Sequence, residues 1–363
     1  LSKDIRALKV RLYPNREQER ILLNTLVQCT ELYNSLLDHC KECHENGGKH
    51  PSAYDMMKLL PPMKRERPIM KTVYAQVYED VCLRVSRAFD GFFRRVKEKK
   101  EDAGYPRYRS LSRYDSFTYP QSGFILSKDH LILSPGKQRI RIRGYRKMDG
   151  RIKTCTVIRK GCGPDYRWEA AITYETEKRN VDDIAAAKGG KSIGIDMGLS
   201  KLIVTSEGKE YPNGKEFIKA ERQLSKILRK MSRYEKGTPE RERYRQRLFH
   251  AFENIHNKRK GKIYEIVTEL IERYDMIFIE DLEIRKMMDN SKGKGMRKSY
   301  RDAGWRKFLF VLGYKAEEAG VTVRTVDPAY TSQRCSECGT LVPKDLSIRR
   351  HQCPCCGLDV DRD

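Results

Sequence analysis

The spacing of hydrophobic and polar residues divides the chain into three regions. From Leu8 to Leu12, apolar and basic residues alternate, which predicts a half-buried strand that ends at Pro14-Asn15. Apolar residues then recur every three or four positions. This period predicts helices to about residue 43, around 54–60 and from about 72 to 99. We expect these helices to form a lobe over residues 14–111, inserted after the first strand.

The hydrophobic period changes to two between Ser116 and about Glu177. Short apolar segments, such as Leu131–Leu133 and Trp168–Tyr174, are separated by turns that contain Gly and Pro. Several short strands with such turns predict a small β-barrel to which the first strand contributes. The expected barrel domain comprises residues 1–13 and 112–185.

The third region, residues 186–363, combines strands and helices. Buried strands are predicted at Ile193–Asp196, Leu202–Thr205 and Met276–Glu280, and two basic helices at about 214–234 and 239–274. A loop rich in Lys and Gly is expected from Arg285 to Tyr300. Two strands that end in acids, with a hairpin and helices between them, follow the order of the RNase H-like fold. The predicted fold class is α+β multidomain: a helical lobe and small β-barrel, then an RNase H-like α/β domain.

The charge balance indicates the class of partner. Lys and Arg number 74 against 50 Asp and Glu, a formal net charge of +24, which favours a nucleic acid partner. The positive charge is spread along the chain instead of being concentrated in one amphipathic helix, which argues against a membrane partner. The sequence has no apolar run long enough to span a bilayer and begins without the apolar core of a signal peptide, so we expect a cytoplasmic protein. The 11 cysteines, an odd number, fit a reducing compartment better than a disulfide framework.

Two Cys-x-x-Cys motifs lie close to the end of the chain. Cys335 and Cys338 are followed after a short interval by Cys353 and Cys356. This spacing predicts a zinc ribbon over residues 330–358, in which four thiolates hold one structural Zn2+. Cys355 could compete with Cys356, but the glycine that follows Cys356 suits the tight turn of a knuckle.

Acidic residues end two of the predicted strands. An acid in such a position is most often a helix cap or a solvated turn. Asp196 and Glu280 occur in the order of the RNase H-like fold, which brings acids together to hold two Mg2+ or Mn2+ ions. A third acidic segment, Asp359–Asp363, follows the ribbon.

The sequence resembles a known family along nearly its whole length. The resemblance is to TnpB, the nuclease encoded by bacterial and archaeal insertion sequences, and to the related compact type V CRISPR effectors. The motifs that carry it are Arg11-Leu-Tyr-Pro14, Ala88–Phe93, Gly104–Tyr108, Gly194–Gly198, Ile279–Leu282, Asp302–Trp305, Asp327–Ser332 and the ribbon with Asp361-Arg-Asp363.

The resemblance implies an RNA-guided DNA endonuclease with a RuvC-like domain, whose partners are a guide RNA and double-stranded target DNA next to a short flanking motif. Its first and second catalytic acids correspond to Asp196 and Glu280. In the family the closing motif runs Asp-Arg-Asp-x-Asn-Ala-Ala, which selects Asp363 as the third acid, with Asp361 as the alternative. The sequence stops at Asp363, and an end there would leave that ligand unanchored.

Candidate nucleic-acid-binding residues occur in three places. The family implies that the flanking motif is read by the helical lobe and the barrel. Lys71, Tyr74 and Gln76 are candidates for this contact, although Tyr74 could equally be a core residue. Two other groups of basic residues, one interleaved with aromatic residues and one on the basic helices, suit contact with a nucleic acid backbone. The aromatic residues also suit base stacking. The candidates there are Arg107, Arg109, Arg229, Lys230 and Arg233. For any one of them, ordinary surface exposure is the competing interpretation.

Other functions remain open at this point. A compact type V CRISPR effector would have the same motifs. A guided DNA binder or repressor without nuclease activity is the second possibility: the end of the sequence at Asp363 favours it, whereas Asp196 and Glu280 argue against it. A guide-independent resolvase or transposase is the third possibility, but the helical lobe and barrel have no evident role in one.

Overall fold

The computed structural model describes residues 3–98, 103–162, 165–177, 190–291, 293–331, 333–344, 348 and 350–361. It divides the chain into two compact units, Leu1–Lys178 and Arg179–Asp363. The predicted domain boundary at residue 185 lies outside the described residues. The finer subdivision into barrel, lobe and nuclease domain stays a prediction.

The first unit begins with a strand that leads into helices. Their bounds are β1 Lys3–Tyr13, α1 Arg16–Glu45, α2 Ala53–Lys58, α3 Leu60–Glu66 and α4 Ala75–Lys97. Helix α1 starts where it does because Asn15 and Gln18 form a capping box, each side chain accepting a hydrogen bond from the other's backbone N–H. Pro61 and Pro62 lie in the first turn of α3, where a missing N–H costs no helical hydrogen bond.

Seven antiparallel strands form the sheet of the first unit, in the order β2-β6-β7-β1-β5-β4-β3. The further bounds are β2 Ser116–Tyr119, β3 Phe124–Leu126, β4 His130–Leu133, β5 Gln138–Arg143, β6 Arg151–Cys162 and β7 Asp165–Glu177. Within the described part of the chain, the end strands β2 and β3 do not pair with each other. The sheet is a curled half-barrel, which agrees in part with the predicted small β-barrel.

One hydrophobic core joins the helices and the sheet of this unit. Leu36 of α1 and Val85 of α4 belong to the same buried cluster as Leu131 and Val157 of the strands. Arg84 of α4 reinforces this packing, because its Nη1 donates a 2.7 Å hydrogen bond to the carbonyl oxygen of Ser116 in β2. The helices and the sheet of the first unit thus share one core.

The second unit contains a five-stranded mixed sheet in the order β10-β9-β8-β11-β12. Strands β8 to β10 form an antiparallel meander, and β11 and β12 run parallel to β8. The strands are β8 Ser192–Asp196, β9 Lys201–Thr205, β10 Glu210–Pro212, β11 Met276–Glu280 and β12 Thr322–Val326. The helices are α5 Glu216–Met231, α6 Pro239–Arg273, α7 Ile284–Asp289, α8 Lys294–Ala303 and α9 Trp305–Ala319.

The prediction of a loop from Arg285 to Tyr300 is wrong. Helices α7 and α8 fill most of this segment. Met287 and Tyr300 pack against the core of the second unit, so tertiary contacts stabilise helices that the Lys- and Gly-rich composition conceals.

The chain continues from β12 into a small hairpin, β13 Arg350–Gln352 and β14 Asp359–Asp361, which pair antiparallel. None of the helices in the described ranges is both long and apolar enough to cross a membrane.

Candidate active site and nucleic-acid surfaces

Asp196 and Glu280 end two neighbouring strands of the mixed sheet. Strands β8 and β11 are parallel, and Ile195 is the register partner of Ile279, so the two acids follow at the same level. Ile195 and Ile279 are both buried in the core. Because side chains alternate along a strand, Asp196 and Glu280 both extend from the opposite face of the sheet. Neighbouring strands lie about 4.8 Å apart, so the two acids are neighbouring residues across the strands.

The loop after Asp196 is fixed by close packing. At Gly198 a Cβ atom would lie 2.8 Å from the carbonyl oxygen of Lys201, so only glycine fits this turn. The buried Trp305, at the start of α9, donates from Nε1 to the carbonyl oxygen of Gly198 at 3.3 Å. These contacts hold the end of β8, and therefore the position of Asp196.

Glu280 has a partner that the sequence did not indicate. The hydroxyl of Thr331, in the turn after β12, donates a 2.6 Å hydrogen bond to Oε1 of Glu280. Thr331 belongs to the segment Asp327–Ser332, which the sequence marks only as a family motif. No local pattern relates two residues that lie 51 positions apart.

The third predicted acid, Asp363, lies outside the described residues. The alternative, Asp361, is the last residue of β14, where it is the register partner of Arg350. The structure therefore leaves the choice between them as a prediction. The neighbouring Asp359 accepts a 2.6 Å hydrogen bond from Nε of Arg350 and supports the hairpin.

Four cysteines converge beside this hairpin. The Sγ atoms of Cys335, Cys338, Cys353 and Cys356 lie within 4.8 Å of one another, an arrangement that could hold a metal ion. A tetrahedral site with Zn–S bonds of about 2.3 Å requires sulfur atoms roughly 4 Å apart, and two of the observed pairs are separated by 3.5 Å. The donor set therefore fits zinc.

The two cysteine knuckles have the same backbone pattern. In each, the N–H of the first cysteine bonds the carbonyl oxygen five residues on, and the glycine N–H bonds the carbonyl oxygen of that cysteine. Gly339 and Gly357 have φ of 72° and 75°, the left-handed conformation that glycine adopts without strain. This repeat brings Cys356 into the cluster, while Cys355 is exposed and outside it.

Helices α5 and α6 enclose a basic groove of about 720 Å³. Its lining includes five cations and one acid, and the cations are Lys219, Lys226, Lys230, Arg247 and Lys258. Of the predicted contacts on these helices, Lys230 lines the groove, whereas Arg229 and Arg233 are exposed outside it. Near one end, the rings of Tyr234 and Tyr244 stack with centroids 5.7 Å apart. Such a combination of cations and aromatic faces suits a nucleic acid backbone with unpaired bases.

A second basic hollow of about 640 Å³ lies in the first unit and contains both Arg107 and Arg109 in its lining. The backbone of Arg109 is held by Asn34 of α1, whose side-chain amide forms two 2.9 Å hydrogen bonds with it. The guanidinium of Arg109 lies 5.2 Å from the centre of the Tyr33 ring, within range of a cation–π interaction.

Tyr74 and Gln76 hold a turn of the first unit. The Tyr74 hydroxyl and Ser122 Oγ are 2.9 Å apart, and Oε1 of Gln76 accepts from both the N–H and the hydroxyl of Ser122 at 3.1 Å. At Gly123 a Cβ would come within 2.5 Å of the Tyr74 ring, so this glycine is required. The Gln76 oxygen that would pair with adenine is thus already engaged, whereas Lys71 is exposed. DNA contact by these three residues stays a prediction.

Comparison with known families gives three matches along the chain. Residues 171–291 match the IS605-type OrfB family described as "Probable transposase", and residues 305–363 match the "Cas12f1-like, TNB domain" family. Residues 5–49 match a family described as "Helix-turn-helix domain", although this stretch holds β1 and the single long helix α1.

Two curated relatives span almost the whole chain. The chain is 28% identical to the "Putative RNA-guided DNA endonuclease InsQ" of Escherichia coli (strain K12), covering 97% of this chain and 88% of that protein. It is 27% identical to a "Putative RNA-guided DNA endonuclease" of Streptomyces pristinaespiralis, covering 99% and 86%. These matches show similarity to TnpB-type proteins over nearly the whole chain.

A solved structure shares the fold of this chain. The chain is similar to the protein in a cryo-EM structure of a Cas12f1–sgRNA–target DNA complex, with a TM-score of 0.52 and 16% identity. The match covers 90% of this chain and 76% of that one. At this identity the likeness establishes the fold alone.

Proposed function

We propose that this protein is a transposon-encoded, RNA-guided DNA endonuclease that cuts target DNA beside a short flanking motif. The observation that carries the proposal is the placement of Asp196 and Glu280 at the same level on neighbouring parallel strands, on the same face of the sheet. The order of the five strands, a meander followed by two strands parallel to its first member, supports an RNase H-like, RuvC-type domain. The names of the two long relatives agree with this activity.

Asp196, Glu280 and Asp363, with Asp361 as the alternative third acid, would hold two Mg2+ or Mn2+ ions. Carboxylate oxygens are the ligands that these hard cations prefer, and the two described acids offer them side by side. Two such ions activate the attacking water and stabilise the leaving oxygen of a phosphodiester. The role of the chain is to hold these carboxylates in register and to present the scissile phosphate to them.

Cys335, Cys338, Cys353 and Cys356 would hold one structural Zn2+. Four protein ligands leave no open position for a substrate, so this metal would support the hairpin that leads into the last acidic segment. The ribbon would in this way fix the position of the segment that contains the third acid.

The basic surfaces fit the proposed nucleic acid partners, a guide RNA and double-stranded target DNA. The groove between α5 and α6 combines five cations with aromatic rings, and the hollow around Arg107 and Arg109 has a similar composition. We assign both to phosphate contacts with RNA or DNA, in a cytoplasmic complex.

Copurification and cleavage test the proposal together. The protein is purified from cells that carry its native flanking DNA, and bound RNA is sequenced; a discrete RNA with a variable 3′ or 5′ segment is expected. The complex is then programmed against a plasmid library with randomised flanking sequence. Cleavage with Mg2+ is expected for wild type, with loss of product but retained DNA binding for Asp196→Ala and Glu280→Ala.

Each outcome separates the candidate functions. Equal cleavage by wild type and Asp196→Ala would mean that the active site is misassigned. Tight guided binding by wild type without product at any Mg2+ concentration would identify a guided binder. The absence of a discrete copurifying RNA would contradict RNA guidance and favour a guide-independent enzyme.

A further inference from the structure

The turn that follows β12 returns to the candidate active site. Strands β11 and β12 pair in parallel up to Glu280 and Val326, and the next N–H, from Asp281, donates to the carbonyl oxygen of Val326 at 2.9 Å. The chain then turns over Asp327–Thr331. This course brings the Thr331 hydroxyl to within 2.6 Å of Oε1 of Glu280.

The turn is held in a specific conformation. Oδ1 of Asp327 accepts a 2.9 Å hydrogen bond from the N–H of Ala329. Tyr330 has φ of 65°, a left-handed conformation that is unfavourable for a residue with a Cβ. Its carbonyl oxygen accepts 2.9 Å hydrogen bonds from the N–H groups of Gln333 and Arg334, which help to maintain this conformation. Strained residues of this kind cluster at functional sites.

The single hydroxyl proton of Thr331 has two acceptors within reach. One is Oε1 of Glu280 at 2.6 Å, and the other is the carbonyl oxygen of Pro328 at 3.0 Å. A hydrogen bond to a carboxylate is shorter and stronger than one to a neutral acceptor. The proton therefore lies towards Glu280, as the shorter distance indicates.

We propose that Thr331 is a positioning residue for Glu280, a proposal that rests on the proposed metal-dependent nuclease function. By binding Oε1, the hydroxyl would fix the rotation of the carboxylate and leave Oε2 available as a ligand for a cation. A partner that orients a metal ligand typically affects metal affinity or activity by about 10- to 100-fold. Thr331 thus couples the turn before the ribbon to the metal site, without itself touching a metal.

The test compares Thr331→Val, which keeps the shape but removes the hydroxyl, with Thr331→Ser, which restores it. Thr322→Val, at the other end of β12, is the matched control. Mn2+ binding to the full-length protein without nucleic acid is measured by electron paramagnetic resonance, and cleavage is measured as a function of Mg2+ concentration. We expect Thr331→Val to weaken Mn2+ binding by about tenfold and to raise the Mg2+ requirement similarly. Thr331→Ser and Thr322→Val should resemble wild type.

Failure of this inference is distinguishable from failure of the proposed function. If Glu280→Ala abolishes cleavage and weakens Mn2+ binding while Thr331→Val does neither, Thr331 has no positioning role. If Glu280→Ala itself leaves both unchanged, the proposed active site is wrong. If Thr331→Val and Thr331→Ser lose metal affinity equally, the hydroxyl is not the determinant and the inference is overturned.

Discussion

Asp302 and Arg259 form an ion pair that joins two helices of the second unit. The Asp302 carboxylate in α8 is almost fully buried, with 1% of its side chain exposed, and it accepts a hydrogen bond from Nη2 of Arg259 in α6. It also accepts from the N–H groups of Phe217 and Ile218 at 3.0 and 3.2 Å. Asp302 thus caps the first turn of α5, which supplies one wall of the basic groove.

Removing Arg259 should destabilise the second unit. In Arg259→Met the buried carboxylate would keep its backbone donors but lose its cation, and we expect a loss of roughly 3 kcal/mol in the free energy of unfolding. The chain has two tryptophans, Trp168 in the first unit and Trp305 in the second. Guanidinium unfolding followed by Trp305 fluorescence in a Trp168→Phe background measures the effect.

The surface residue Arg273, paired with Glu269 at 3.2 Å, provides the control. Because an exposed pair contributes little, Arg273→Met should change stability by less than about 1 kcal/mol. If the two variants lost the same free energy of unfolding, burial of Asp302 would not make its ion pair more stabilising than an exposed one.

Zinc content should distinguish the two adjacent cysteines of the ribbon. Cys356→Ser removes one of the four clustered thiols and should lose most of the bound zinc, because three thiolates and a serine bind it far more weakly. Cys355→Ser changes an exposed thiol outside the cluster and should retain one zinc per chain. Elemental analysis after mild chelation measures both. Loss of zinc from Cys355→Ser would mean that the ligand register is shifted by one residue.

The sequence predicted those features that depend on local pattern. The alternation in Ile193–Asp196 and Met276–Glu280 identified two strands that end in acids, and the Cys-x-x-Cys-Gly repeats identified the four cysteines that cluster. Both signals are local, because burial of one strand face or the turn of a knuckle requires particular residue types within a few positions.

Features that depend on tertiary contact were not predicted. The composition of the segment from Arg285 to Tyr300 predicts a loop, but packing of Met287 and Tyr300, which composition does not indicate, stabilises helices there. The contact between Thr331 and Glu280 arises only after β12 pairs with β11. The strand pattern predicts a small β-barrel and the structure has a curled half-barrel, because the sequence does not show whether the end strands pair.

Residues that line the basic groove should contribute more to nucleic acid binding than cations that face away. Lys230→Ala and Arg247→Ala each remove a lining cation. We expect each substitution to weaken RNA binding. Each should also reduce the slope of log affinity against log salt concentration by roughly 0.7 to 0.9, which corresponds to the loss of one phosphate contact. Arg245, on the same helix as Arg247, forms two 2.7 Å hydrogen bonds with Glu242 and does not line the groove. Filter binding at several salt concentrations compares the three, and an equal effect of Arg245→Ala would contradict a specific groove.

His50 should make the stability of the first unit depend on pH. Its ring lies 4.0 Å from that of Phe89 and 5.5 Å from that of Phe93, centre to centre. Burial lowers the pKa of His50 below the ordinary 6.5, and the negative charge of Asp90 opposes this only in part. Its Nε2 is buried without a hydrogen-bond partner in the described part of the chain, so protonation there is unfavourable.

The sign follows from proton binding. Between the lowered pKa of the folded state and about 6.5, the unfolded chain binds a proton that the folded chain does not, so stability falls as pH decreases through this window. Unfolding at pH 5 and pH 7.5, followed by Trp168 fluorescence in a Trp305→Phe background, measures the difference. His50→Phe should reduce it, because the titrating group is gone, whereas His44→Gln, at an exposed position, should preserve it. If His50→Phe retained the full pH dependence of wild type, another group would have to be its source.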